Sequence, residues 1–175
     1  ESKEGEPLEL TECFGGYGNI NDNPVPMKEV QEKVERLYKR ICDKAEGVYA
    51  EAGVKTVILD SDVAGMIAHE AVGHTVEADL GLGGSVAASN LGKQADLTGE
   101  FMFGINMGYE IKNGKLGRAI FDTTVSGVAF DMLKTCDMVA DKIKWSPYGT
   151  CGKKQAMAVS MGGPAIKCQI NIGGR

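Results

Sequence analysis

Histidine is scarce in this chain, with two among 175 residues. Any centre built on three imidazoles is therefore excluded. Long apolar runs are missing as well, so no segment reaches membrane-spanning length and no membrane partner is expected. No block of Lys or Arg stands out, and the net charge is −5. A phosphate-neutralising surface is excluded on that basis, and no nucleic-acid partner is expected. The five cysteines are odd in number, scattered, and form no CxxC pair. A disulfide framework does not fit them; a reducing cytoplasm does. The start, Glu1-Ser2-Lys3-Glu4, is polar and acidic, unlike a signal peptide. It also lacks an initiating Met, as a trimmed piece would.

What is present suits a soluble globular domain. Hydrophobic residues make up 43% and charged residues 25%, enough for one real core. The 24 glycines imply turns and close backbone approaches and argue against a helical bundle. Residues 1–26 are polar and turn-rich and read as a surface arm. Val30, Val34, Leu37, Ile41, Ala45 and Val48 then recur at three- and four-residue steps. This spacing predicts a long amphipathic helix with one buried face, stopped by Gly53. Lys55–Leu59 reads as a short buried strand, and Asp60-Ser61-Asp62 offers caps for a second, short helix.

The second half reads as β-rich. Phe101, Phe103 and Ile105 alternate with other residues. Asn113-Gly114 predicts a two-residue hairpin turn after Tyr109–Lys112, with the return strand running through Val125. Residues 81–85 read as a flexible loop and 129–134 as a short helix. Residues 156–160 and 165–172 read as closing strands around a Gly162-Gly163-Pro164 turn. The class expected is α+β: an antiparallel β-rich domain packed around a metal-binding helix and one long amphipathic helix.

Both histidines fall in His69-Glu70-Ala71-Val72-Gly73-His74. Imidazoles are common metal ligands, and a carboxylate beside them can serve as general base. The spacing is HExxxH, not HExxH. Residues five apart on an ideal helix point about 140° away from each other. A π-type widening, or a break near Gly73, would bring His74 round to the His69 face. Glu70 is the expected base, taking a proton from a zinc-bound water as it attacks a peptide carbonyl. The bland alternative is a pair of core histidines with Glu70 facing solvent.

A catalytic zinc takes three protein ligands, so the third here must be Cys, Asp or Glu. Cys42 and Cys168 read as small core hydrophobes, and Cys13 and Cys136 stand in unremarkable contexts. Cys151 lies in Gly149-Thr150-Cys151-Gly152-Lys153-Lys154, where glycines allow close approach and lysines favour thiolate. Asp79 and Glu77 compete as oxygen ligands. Nitrogen and sulfur donors make Zn2+ the expected metal over magnesium or calcium.

Residues 67–79, Ile-Ala-His-Glu-Ala-Val-Gly-His-Thr-Val-Glu-Ala-Asp, resemble the metal motif of the TldD subunit of the TldD/PmbA (TldE) family. Gly149–Gln155 followed by Gly162-Gly163-Pro164 resembles that family's C-terminal Cys-Gly-Lys motif. Gly99–Gly104 and Tyr109–Lys115 are similar to it too. The resemblance implies a zinc metallopeptidase of unstructured peptides or small proteins, with His69, His74 and Cys151 as ligands and Glu70 as the catalytic residue. It implies a dimer, either with a metal-free PmbA/TldE-like subunit or with a second copy. The family's older label, modulator of DNA gyrase, is genetic and implies no DNA binding.

Members of that family are much longer. The resemblance makes residues 27–175 an incomplete metallopeptidase domain, with most of the N-terminal domain missing and a long piece absent near 94/95. Substrate-binding strands would belong to that piece. A catalytically inactive fragment or partner subunit is the alternative reading, and a thiol-redox protein using Cys151 is a third.

Overall fold

The computed structural model describes residues 5, 7–14, 19, 21, 24–73, 99–146, 149–152 and 156–174. The elements are α1 (Met27–Ala45), β1 (Gly53–Leu59), α2 (Ser61–Ile67), a π-helical segment (Ala68–Gly73), β2 (Glu100–Lys112), β3 (Lys115–Val128), α3 (Ala129–Lys134), β4 (Met138–Ser146), β5 (Thr150–Cys151), β6 (Met157–Ala158) and β7 (Met161–Ile172). One sheet has the strand order β1-β7-β3-β2, with β4 also pairing to β7; β5 and β6 form a separate two-stranded sheet. Antiparallel pairing with few helices agrees with an α+β class. No described helix is long and apolar enough to cross a membrane. The predicted loop at 81–85 lies outside the described residues.

The chain divides into two compact units. One is drawn from Glu1–Gly53, Gly104–Thr124 and Ile172–Arg175, the other from Val54–Phe103 and Val125–Asn171.

In the first unit, α1 ends at Ala45, short of the predicted Val48. Sheet pairing competes for the next backbone groups. Val48 N–H donates to Ala119 O at 2.9 Å, and Phe121 N–H donates to Val48 O at 3.3 Å. The helix closes one turn earlier, with Gly47 N–H on Lys44 O at 2.9 Å. The expected buried face is also corrected. Val30, Leu37, Ile41 and Ala45 are half-buried, and Val34 is 52% exposed. Among the described residues, this unit's buried apolar side chains come instead from Ala119 and Phe121 on β3, where Tyr49 meets Phe121 edge-on. Cys42 is exposed, so it is no core residue. Lys44 is buried, and its ammonium is satisfied by Asp122 Oδ1 at 3.0 Å and Glu9 O at 3.4 Å. A buried ammonium is tolerated because it is paired and hydrogen-bonded.

The tip of the β2/β3 hairpin lies in this unit. Asn113 (φ 52°) and Gly114 (φ 73°) both occupy the left-handed region. That is the requirement of a two-residue turn matched to strand twist, and it explains why Asn-Gly stands there. Across the hairpin, Arg118 donates to Glu110 at 2.6 and 3.0 Å. With the help of Lys112, that bond holds the Glu110 carboxyl down to about 2.

The second unit holds most of the described core: Leu59, Ile67, Phe101, Val125, Ala129, Met132, Cys168 and Ile170 are buried. Alternation along β1 turns Val57 and Leu59 inward and Ile58 outward, the period-two pattern of a strand with one covered face. The α3 helix begins where Ala129 N–H donates to Gly99 O at 2.8 Å. Cys168 is buried as expected, and burial pushes its thiol pKa up.

Two expectations fail in this unit. Strand β4 has no counterpart in the sequence reading. Met138, Val139, Ile143 and Trp145 are all exposed, so its apolar residues do not mark one buried face. Gly162-Gly163-Pro164 is not a turn but part of β7, opposite Trp145, Lys144 and Ile143 of β4. Proline is accepted there because the ladder is irregular beside it: the register shifts between Val139 and Ile143.

The hairpin tip yields a stability prediction. Gly114→Ala puts a Cβ at φ 73° and should cost about 1–2 kcal/mol in chemical denaturation. Gly104→Ala, with open space around its added Cβ, should cost far less.

Candidate metal centre

The centre is built on α2 and the segment that follows it. Asp60 caps α2, accepting from Val63 N–H at 3.0 Å. Capping by Asp60 releases the next acid, Asp62, from that task. Asp62 instead accepts a hydrogen bond from the Ser146 hydroxyl at the end of β4. Ser146 is 5% exposed.

A second contact lies one turn further along. A Cβ added to Gly65 would come within 2.8 Å of Gly162 N, and one added to Gly162 within 2.6 Å of Lys144 O. Glycine at 65 lets the helix backbone rest on the β7 backbone, and glycine at 162 lets β7 lie close against Lys144 and Trp145 of β4. So α2 touches β4 through Ser146 and β7 through Gly162.

After Ile67 the helix widens. Residues Ala68–Gly73 form a π-helical segment, as the five-residue histidine spacing predicts. The i→i+5 bonding of a π turn brings residues five apart onto one face. His69 is half-buried, and its Nε2 stands 3.9 Å from Glu70 Oε1; Glu70 is 42% exposed. His74, Glu77 and Asp79 lie outside the described residues. Among the described residues, a Cβ added at Gly73 would meet Ala68 O at 3.5 Å, an ordinary contact.

Cys151 lies on a short hairpin, not in a loop. Cys151 pairs with Met157 and Thr150 with Ala158, and Val159 N–H donates to Gly149 O at 3.0 Å. This hairpin leaves the main sheet at the last β4–β7 pair, Ser146 with Met161. Its root is thus the place where α2 is seated. Cys151 is half-buried, and none of the five cysteines is in a disulfide. Among the described residues, no three His, Cys, Asp or Glu side chains gather as a metal-holding group.

The donors still suit a zinc ion. Zinc is a borderline-soft ion that accepts both imidazole nitrogen and thiolate sulfur. His69 follows Gly65 by four residues, a rise of about 6 Å. Cys151 follows Ser146 by five residues, a reach of at most ~18 Å. Asp62, Gly65, Ser146 and Gly162 were not singled out as site residues from the sequence. One signal was there: two acids, Asp60 and Asp62, where a single cap was needed.

The model of the PmbA/TldA metallopeptidase C-terminal domain matches residues 86–174, just over half of the chain. The chain belongs to the PmbA/TldD metallopeptidase family. Among curated relatives of this PmbA/TldD chain, a metalloprotease TldD homolog of Buchnera aphidicola is 37% identical over 95 residues, covering 52% of this chain and 20% of the relative. A metalloprotease of Archaeoglobus fulgidus is 34% identical over 90 residues, covering 51% and 21%. A zinc metalloprotease TldD homolog of Saccharolobus solfataricus is 40% identical over 58 residues, covering 33% and 13%. The matched stretch spans about a fifth or less of these relatives' lengths.

The two glycines of the helical region should respond differently in this PmbA/TldD chain. Gly65→Ala forces a Cβ against Gly162 and should cost about 1–3 kcal/mol of unfolding free energy. Gly73→Ala should be neutral, or stabilise by up to about 1 kcal/mol. Equal losses at both sites would contradict the close seating of α2 on β7.

Proposed function

We propose that this chain is the zinc-binding part of a peptidase acting on unstructured peptides or small proteins. His69, His74 and Cys151 would hold the zinc, and Glu70 would be the catalytic base. The observation that carries this reading is the π-helical turn bearing His69 and Glu70, next to the seat from which the Cys151 hairpin grows. Family membership supports the peptidase chemistry, and the name of the Saccharolobus relative supports zinc.

Zinc, when bound, supplies Lewis-acid polarisation of a peptide carbonyl and acidifies water. The protein's own groups do the rest. Glu70, partly exposed beside His69, accepts the proton of the attacking water and returns it to the leaving amine. His69 is held by the widened helix and Cys151 by its hairpin, so two ligands come from separate, structured elements.

Residues 27–175 are proposed as an incomplete TldD-like metallopeptidase domain with 1–26 as an arm. A PmbA/TldE-like subunit or a second copy is the proposed partner. A cytoplasmic setting suits five cysteines with no disulfide among them.

Metal analysis with two variants tests the reading. Cys151→Ala should lose nearly all bound zinc. Glu70→Gln should keep about one zinc per chain while peptide hydrolysis falls on the order of 10²–10⁴-fold. Zinc retained in full by Cys151→Ala would remove that ligand assignment. Zinc-free unmodified protein would favour the inactive-subunit reading.

A further inference from the structure

We propose that Asp62 and Ser146 are positioning residues of the metal centre, acting as a latch that sets His69 against Cys151. The proposal rests on the metal reading above and adds to it two residues that touch no metal.

Any ligand pair drawn from distant parts of the chain faces the same difficulty. His69 and Cys151 are 82 residues apart in sequence and sit on different elements. A metal tolerates little error in ligand placement, on the order of 0.5 Å. Something must therefore fix α2 relative to the root of the β5–β6 hairpin. The contacts that do so are the Ser146 hydroxyl on the Asp62 carboxylate and the backbone approach of Gly65 to Gly162.

The glycine contact is a steric approach of backbones and sets only how close the elements come. The hydrogen bond is directional and sets how α2 is turned about its axis and how far it slides. Both partners are placed for this work. Ser146 is buried at the last β4–β7 pair, so its hydroxyl has little solvent to turn to. Asp62 is spared from capping because Asp60 does that.

Removing the hydroxyl leaves the glycine contact and the sheet in place. The helix could then rotate or slide, and the ligands would lose register before the fold is lost. Outer residues that orient metal ligands commonly change affinity by about 10–100-fold when removed.

Zinc affinity, measured by competition with a chromogenic chelator on the folded chain, tests this. Ser146→Ala and Asp62→Ala should each weaken zinc binding about tenfold or more, and Ser146→Thr should restore it. Gly114→Ala, which loosens the hairpin tip without touching the latch, should leave zinc affinity unchanged. Unaltered zinc affinity in Ser146→Ala or Asp62→Ala, alongside zinc loss in Cys151→Ala, would overturn the latch alone. Equal weakening in Gly114→Ala would also overturn it, by showing a general effect of stability. Zinc retained by Cys151→Ala would overturn the metal reading and the latch with it.

Discussion

The seating of a seven-residue helix on two strands underlies everything else at this centre. Helix α2 meets β7 where Gly65 lies against the Gly162 backbone, and it meets β4 where Ser146 donates to Asp62. A side chain at Gly65 would separate the helix from β7, since the nearest atoms to an added Cβ there are backbone atoms of Gly162. Such atoms cannot rotate away as the end of a flexible side chain can. A helix of this length has little intrinsic stability. Its position is therefore set by tertiary contact and by the Asp60 cap, with Ile67 buried in the core.

From that seat two elements depart. One is the π-helical segment with His69 and Glu70; the other is the hairpin with Cys151. Neither is long. A π turn gives up regular α-helical hydrogen bonding, and such turns are frequent at functional sites. Here it covers Ala68–Gly73 and so takes in His69 and the four residues after it. The hairpin gains its order from the Thr150–Ala158 and Cys151–Met157 pairs and from Val159 N–H on Gly149 O. Membership in the PmbA/TldD metallopeptidase family gives this arrangement a chemical context.

Much of this was legible in the residues, for identifiable reasons. Asn113-Gly114 announced its turn because few residue pairs accept φ above zero twice in succession. Asp60-Ser61-Asp62 announced a cap, and the five-residue histidine spacing announced a widened or broken helix, of which the widened form is found. The failures are equally physical. Strand β4 was missed because Met138, Val139, Ile143 and Trp145 stay exposed, leaving no one-sided pattern to find. Gly162-Gly163-Pro164 looked like a turn because glycine and proline usually punctuate. Here Gly162 answers to close packing against Lys144 and Trp145 of β4, and the proline to an irregular ladder. Helix α1 stopped early because Val48 pairs with the sheet. The Asp62–Ser146 contact joins residues 84 apart, and no local pattern encodes a partner at that distance.

The central claim is that one zinc ion is shared between the π-helical turn and the Cys151 hairpin. X-ray absorption at the zinc edge of the loaded protein reads that ligation directly. The account predicts one sulfur at about 2.3 Å together with imidazole nitrogens at about 2.0–2.1 Å, and loss of the sulfur in Cys151→Ser. A shell of nitrogen and oxygen alone in the unmodified protein would contradict it.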